Sequence, residues 1–290
     1  MKKLLLVSAI ALAASPAFAD TTMSLGGSSN TNYVTVGHGD KEIQGVLYTG
    51  VGINLPANHP LEAGDLTTET VSFEGGPIRQ TNNLISGANG NDFIDIAGTI
   101  ISETWKHTIA SGVGAGTEIY AYRQVNPPMP DFPHFGGEVI AKVPGLAASN
   151  AVYFGEWAPW DGSAGSDLGM DSSLRTVYYV GENPTTSMPT LTNVAYDVVG
   201  IQKYNPDTQA GVYTGTLTAT FNPSNLPSGN TLTGTLNGVN FSGTSISSDG
   251  SFSNGSTISG KFYGNSAEAL AGMYDASGVA NDMAFGGAQQ

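Results

Sequence analysis

Four histidines carry most of the binding chemistry available to this 290-residue chain: His38, His59, His107 and His134. All four fall in its first half. His134 sits in Phe132-Pro-His-Phe-Gly136, directly after a proline-rich stretch and between two aromatic rings. His38 sits in Val36-Gly-His-Gly-Asp40, where flanking glycines leave room for a planar ligand to approach the backbone. His59 lies in the turn Asn58-His-Pro60, and His107 follows Trp105-Lys106 in a segment that reads as strand. An imidazole walled by aromatic rings suits axial ligation of a heme iron. His134 is the first candidate and His38 the second, on opposite faces of the porphyrin if both ligate. Phe132 and Phe135 would supply the apolar walls. Tyr122, with Tyr120, adds a phenol that can serve as pocket wall or ligand. The plainer alternative is that these are solvated loop histidines. Zinc fits less well, because gaps of 21, 48 and 27 residues provide no closely spaced ligand pair.

Other chemistries find little footing. Gly87-Ala-Asn-Gly-Asn-Asp-Phe-Ile-Asp95 nearly matches one calcium-binding nonapeptide. Such repeats bind by stacking, so a single copy reads better as a turn. No Gly-x-Ser-x-Gly elbow marks a serine nucleophile. The glycine runs are not followed by helical patterns, as a phosphate loop requires. Acidic residues are plentiful but no pair is singled out for glycoside hydrolysis. The expectation is a protein that is not an enzyme. Zero cysteines exclude disulfides, thiolate metal sites and a lipidated N-terminal cysteine. A formal net charge of −14 argues against nucleic acid and anionic membrane surfaces.

The elements that must position these residues read as β throughout. Residues 1–19 form a signal peptide. Lys2 and Lys3 lead an apolar run too short to span a bilayer, and Ala17-Phe18-Ala19 provides the cleavage site. No window carries a sustained helical stripe. In the first half, strands are expected at residues 33–36, 43–48, 70–73, 93–101, 118–125, 138–143 and 151–157, joined by long loops. Asn126-Pro-Pro-Met-Pro-Asp-Phe-Pro133 is the most irregular of those loops. Later the alternation is regular. Tyr213, Gly215, Leu217, Ala219 and Phe221 share one face and threonines the other; Asn237-Gly238 marks a hairpin. Ile258, Gly260, Phe262 and Gly264 mix large residues with glycine, which suits the tapered interior of a small closed barrel.

These late patterns resemble a known family. Gly260-Lys-Phe-Tyr-Gly264, Ala267-Glu268, Ala271-Gly-Met-Tyr274 and Ala284-Phe-Gly-Gly-Ala288 look like the C-terminal barrel of transferrin-binding-protein-B-like proteins. Val177-Tyr-Tyr-Val-Gly-Glu-Asn-Pro-Thr185 and Ala195-Tyr-Asp-Val-Val-Gly-Ile201 look like the lead into that barrel in Slam-dependent exported proteins. The chain lacks the lipidated cysteine of the surface lipoproteins, so it is more similar to the secreted, hemophilin-type hemophores. That resemblance implies an all-β fold: an N-terminal clamp-like β domain with long loops over residues 20–172, and a C-terminal antiparallel eight-stranded β-barrel over 173–290. It also implies heme (iron protoporphyrin IX) as cofactor; whether heme is taken free or stripped from hemoglobin stays open. A Slam translocon and a TonB-dependent receptor are the implied outer-membrane partners, and the product would be a secreted monomer that leaves a Gram-negative cell through the periplasm. Two alternatives stay open: a host-protein-binding module on the same barrel, and a polysaccharide-binding protein using Trp105, Trp157 or Trp160 as stacking platforms.

Overall fold

The computed structural model of the protein describes residues 25–43, 46–55, 70–96, 98–125, 135–159, 162, 164–225 and 229–290. In chain order its elements are β1 (Gly26–Ser28), β2 (Thr35–Ile43), β3 (Val46–Asn54), β4 (Val71–Ser72), helix α1 (Pro77–Leu84), β5 (Gly90–Ile96), β6 (Thr99–Thr108), β7 (Glu118–Gln124), β8 (Gly137–Lys142), β9 (Val152–Ala158) and β10 (Thr176–Gly181). There follow β11 (Leu191–Ile201), β12 (Val212–Phe221), β13 (Thr231–Leu236), β14 (Val239–Asn240), β15 (Thr244–Ile246), β16 (Ser251–Asn254), β17 (Ile258–Tyr263), β18 (Ala269–Tyr274) and β19 (Met283–Gln289).

The expected all-β architecture is present. The second half forms a closed antiparallel barrel of eight strands in the order β12-β11-β19-β18-β17-β16-β15-β13; pairing of β12 with β13 closes it, and the short β14 folds back on β13. Closure removes the open edges that a meander of this length would otherwise present. Its interior follows the alternation. Leu217, Ala219 and Phe221 point inward with Phe252, Phe262 and Phe285. Gly260 makes room for its cross-strand partner Phe252: a Cβ there would fall within 2.5 Å of ring atom Cε2.

The first half builds a seven-stranded antiparallel sheet in the order β1-β10-β9-β8-β7-β6-β5. One face packs on the outside of the barrel. Trp105, Val139, Phe154 and Val177 meet Val199, Ile201, Ala269, Ala271 and Ala284 in one continuous apolar layer. The barrel strands are small-sided here, and Phe154 lies over Gly286. The other face is aromatic: Tyr120, Tyr122, Tyr153, Trp157 and Tyr178 pack with Phe73, Ile78 and Val51. A small sheet ordered β2-β3-β4, together with α1, covers it.

Three local features differ from the sequence reading. Residues 93–101, expected as one strand, are the end of β5 and the start of β6, paired as a hairpin with Gly98 at φ +86°. Residues 43–48, likewise expected as one strand, span the junction of the paired strands β2 and β3. Helix α1 was not foreseen, since two turns are too short for a periodic stripe; Pro77 starts it, and only Ile78 and Thr81 are buried. In addition β10, within residues 173–290, pairs with β9 and β1, so the first sheet takes a strand from that span.

Candidate functional site

The aromatic face of the first sheet is where the candidate residues converge. On the β2–β3 hairpin, His38 stands opposite Val51, with Gly37 facing Gly52 and Gly39 facing Gly50. Thr70 lies against both glycines, its side chain over Gly37 and its backbone over Gly39, so the room beside them is taken by the same protein. The His38 side chain is 45% exposed, and its Nε2 lies 3.5 Å from Glu182 Oε2. Glu182 follows β10 directly. Its other oxygen accepts the Val51 N–H at 2.7 Å, so this one carboxylate fastens the hairpin to the end of β10. A carboxylate against an imidazole fixes the ring's orientation, which is how ligating histidines are commonly held. Glu182 has no motif of its own in the sequence, and only the fold brings it to His38.

The proline-rich loop is anchored at both described ends. Gln124 and Gly136 exchange hydrogen bonds: the Gln124 N–H donates to Gly136 O, and the Gly136 N–H donates to Gln124 Oε1, each at 3.0 Å. The indole Nε1 of Trp157 donates to Phe135 O at 2.8 Å, while the Trp157 ring stacks on Tyr33 at 6.3 Å. Phe135 is therefore held, through its backbone, at the margin of the aromatic layer. His134, Phe132, His59, Trp160 and the 1–19 segment lie outside the described residues.

Tyr122 is buried within that layer at 3% exposure. Its hydroxyl is 2.8 Å from Thr81 Oγ1, which in turn is 2.9 Å from Thr104 Oγ1. Burial holds this phenol well above its ordinary pKa, so it is neutral and committed to a hydrogen-bonded core. Tyr120 has a similar setting, with its hydroxyl donating to Glu118 Oε2 at 3.0 Å. Tyr153 donates to Glu74 at 2.6 Å, and Glu74 also pairs with Lys142. Glu138, beside the proline-rich loop in sequence, is unusual. Burial pushes its carboxyl up to about 7, against a weaker opposing effect from the Tyr178 hydroxyl 3.4 Å away.

His107 lies elsewhere. It sits on β6 on the same side as Trp105, facing the barrel layer. Its Nδ1 is buried without a hydrogen-bond partner, as is Trp105 Nε1, and burial lowers its pKa, which keeps it neutral at pH 7. The described candidates thus divide. His38 (through its partner Val51), Tyr122 and Phe135 (through Trp157) border one aromatic layer, whereas His107 belongs to the opposite face.

The C-terminal strands also have counterparts among known proteins. Residues 173–290 match the sequence model of a family described as the C-lobe and N-lobe beta barrels of Tf-binding protein B. The matched span contains all eight barrel strands, β10, Arg175 and Glu182. The carboxylate that faces His38 therefore lies inside the matched span, and His38 itself lies outside it. A solved structure of intact Ap-TbpB, with its N and C lobes, is similar over 71% of this chain at 16% identity and a TM-score of 0.27. The chain covers 39% of that protein's length.

Proposed function

We propose that this is an exported, non-catalytic binding protein that captures heme in its N-terminal β domain, while the barrel serves for export and recognition. One observation carries the reading: segments from β2, β7 and the 135–136 loop end converge on a single aromatic layer facing away from the barrel. Heme is a large apolar plane, and covering it with aromatic side chains contributes roughly 25 cal/mol per Å². When bound, its iron supplies an axial position for imidazole. His134 and His38 are the proposed ligands, with Phe132 and Phe135 as walls. Among the described residues His38 is the candidate with a solvent-exposed side chain, with Glu182 Oε2 3.5 Å from its Nε2, while the rings of the aromatic layer are themselves buried beneath the small sheet and α1. Tyr122 suits the pocket's support better than the iron, since its phenol is neutral and bonded to Thr81. The net charge of −14 opposes the heme propionates at long range, though at physiological salt screening confines this to ~8 Å.

Export rests on the residue 1–19 signal pattern and on the barrel. A Slam translocon and a TonB-dependent receptor are the proposed partners, hemoglobin a proposed heme source, and extracellular release the proposed destination. The test is a hemin titration of residues 20–290 followed by visible absorption. A sharp Soret band saturating at one equivalent is expected. A broad band that never saturates overturns heme capture.

A second reading is favoured by the barrel match itself. Tf-binding protein B is named for binding a protein, so this chain is also a candidate for capturing a host protein. Retention of a defined serum protein by immobilised protein, without stoichiometric hemin binding, would select that reading.

A further inference from the structure

We propose that the open mouth of the barrel is a binding site for a neutral oligosaccharide. A depression of about 460 Å³ lies at one end of the barrel, within the size range of small-molecule sites, which often occupy barrel mouths. Its lining is mainly polar, and the apolar residues beneath it face the barrel interior. Ile258, Tyr274 and Met283 are successive cross-strand neighbours on β17, β18 and β19, and Val239 comes from β14. Ile258 and Met283 are buried, whereas Tyr274 and Val239 are half-buried and close the top of the barrel core. The rim carries five carboxamides: Gln202, Asn237, Asn240, Asn254 and Asn281. Among the described residues, none that lines the mouth is charged, in a protein with 24 acidic side chains.

That combination selects a chemistry. An amide presents a donor and an acceptor side by side, which matches the paired donor and acceptor of adjacent sugar hydroxyls. A half-buried tyrosine ring offers a flat apolar surface for the C–H face of a pyranose, with a polar tip at the water boundary. A cation would find no carboxylate here. An anion would find no Lys or Arg and would meet the unfavourable field of an acidic protein.

The rim is also preorganised. Asn237 Nδ2 donates to Gln202 Oε1 at 2.7 Å, and Gln202 Nε2 donates to Ala280 O at 3.3 Å. The segment bearing Asn281 is tied down by Arg175, which donates to Val279 O and to Asp282 O. A rim fixed before binding loses less entropy when a ligand arrives. The site is separate from the proposed heme layer, which lies on the far face of the first sheet.

The experiment is a titration of the ¹⁵N-labelled full chain with chitotriose, maltotriose and lactose, reading the side-chain amide resonances of the five rim residues. At least one sugar should shift them saturably, with a Kd of about 1 mM or tighter. Asn281→Ala alters an exposed rim position and should weaken binding by about fivefold or more while leaving the melting temperature and hemin titration unchanged. Tyr274→Leu should abolish binding, and Tyr274→Phe should retain it. The proposal is overturned by absence of saturable rim shifts with all three sugars, by shifts that map elsewhere, or by preference for a sialylated or sulfated analogue. None of these outcomes bears on heme.

Discussion

Arg175 and Glu156 form an ion pair in which both side chains are completely buried, with Nη1 2.6 Å from Oε2. The pair sits where the first sheet meets the barrel. Glu156 also accepts the backbone N–H groups of Lys203 (2.9 Å) and Tyr204 (2.6 Å), and Arg175 donates to Asp282 O at 3.0 Å. Desolvating two charges is costly, and these extra hydrogen bonds are what make the arrangement tolerable. Two barrel segments, around 203 and around 282, are thus held by one pair belonging to the first sheet's end of the chain.

Removing one partner should therefore cost far more than breaking a surface bridge. Arg175→Ala leaves the Glu156 carboxylate buried and uncompensated, and a loss of about 3–5 kcal/mol in unfolding free energy is expected. Lys203→Ala is the contrast: its bridge to Asp171 is at the surface, where such pairs contribute about 0–1 kcal/mol. Urea denaturation of the two variants checks the difference. Equal, small losses would show that the sheet and barrel do not depend on the buried pair.

The barrel interior offers a second, purely steric test. Gly260→Ala would drive a methyl group into the Phe252 ring and toward Ala271 O at 2.6 Å. The carbonyl belongs to the paired strand β18 and cannot swing away, so the ring must leave its place among Phe262 and Phe285. Overpacking of this kind costs typically about 1–3 kcal/mol. A shift of the denaturation midpoint in that direction, with the far-ultraviolet spectrum retained, is expected. An unchanged midpoint would mean that the interior is looser than its glycine pattern implies.

The barrel was the legible part of this sequence because every strand obeys one rule: inward residues alternate with outward ones, and glycine stands where a phenylalanine crosses. Gly260 and Phe252 show the rule at work. The outer barrel face was less readable. Lys261 and Tyr263 alternate as though exposed, yet both are buried, and Tyr263 is covered by Gly181 of the first sheet. The site was the least legible. His38 stands out by type, but Glu182 is 144 positions away in a stretch whose pattern reports only a barrel lead-in, and no local signal joins them. Glu138 was equally silent, since its perturbation comes from burial that only the folded sheet creates. Helix α1 was missed because its eight residues bury two side chains and repeat nothing.

Glu138 should give the protein a measurable pH dependence. Its folded pKa of about 7 lies above its ordinary value of 4.5. Between those values the folded state holds a proton that the unfolded state has released. The contribution to stability is complete below pH 4.5 and is lost as pH rises through about 7, by up to about 3 kcal/mol. Glu138→Gln keeps the shape and removes the ionisation. The variant should gain on the parent steadily between pH 5 and pH 8, and level off above that. Parallel stability curves for the two proteins across this window would show that the carboxyl is not held neutral.

The His38–Glu182 pair allows the proposed ligand to be separated from its support. If His38 supplies one axial nitrogen, His38→Ala should displace the Soret maximum and weaken hemin binding by about tenfold or more, equivalent to ~1.4 kcal/mol. Glu182→Gln should leave the absorption maximum in place, because the ligand atom is unchanged, and weaken binding by a smaller factor through loss of the charge that orients the imidazole. The same substitution retains an oxygen for the Val51 N–H, so the hairpin should stay fastened and the melting temperature should hold. Glu182→Ala removes that oxygen too. It exposes a backbone donor with no partner, and a stability loss of about 1–3 kcal/mol is expected in addition to the weaker binding. A spectrum indifferent to His38→Ala, with full affinity, would take His38 out of the ligand set and leave His134→Ala as the variant that must move the band. If neither substitution moves it, axial ligation by His38 or His134 is refuted.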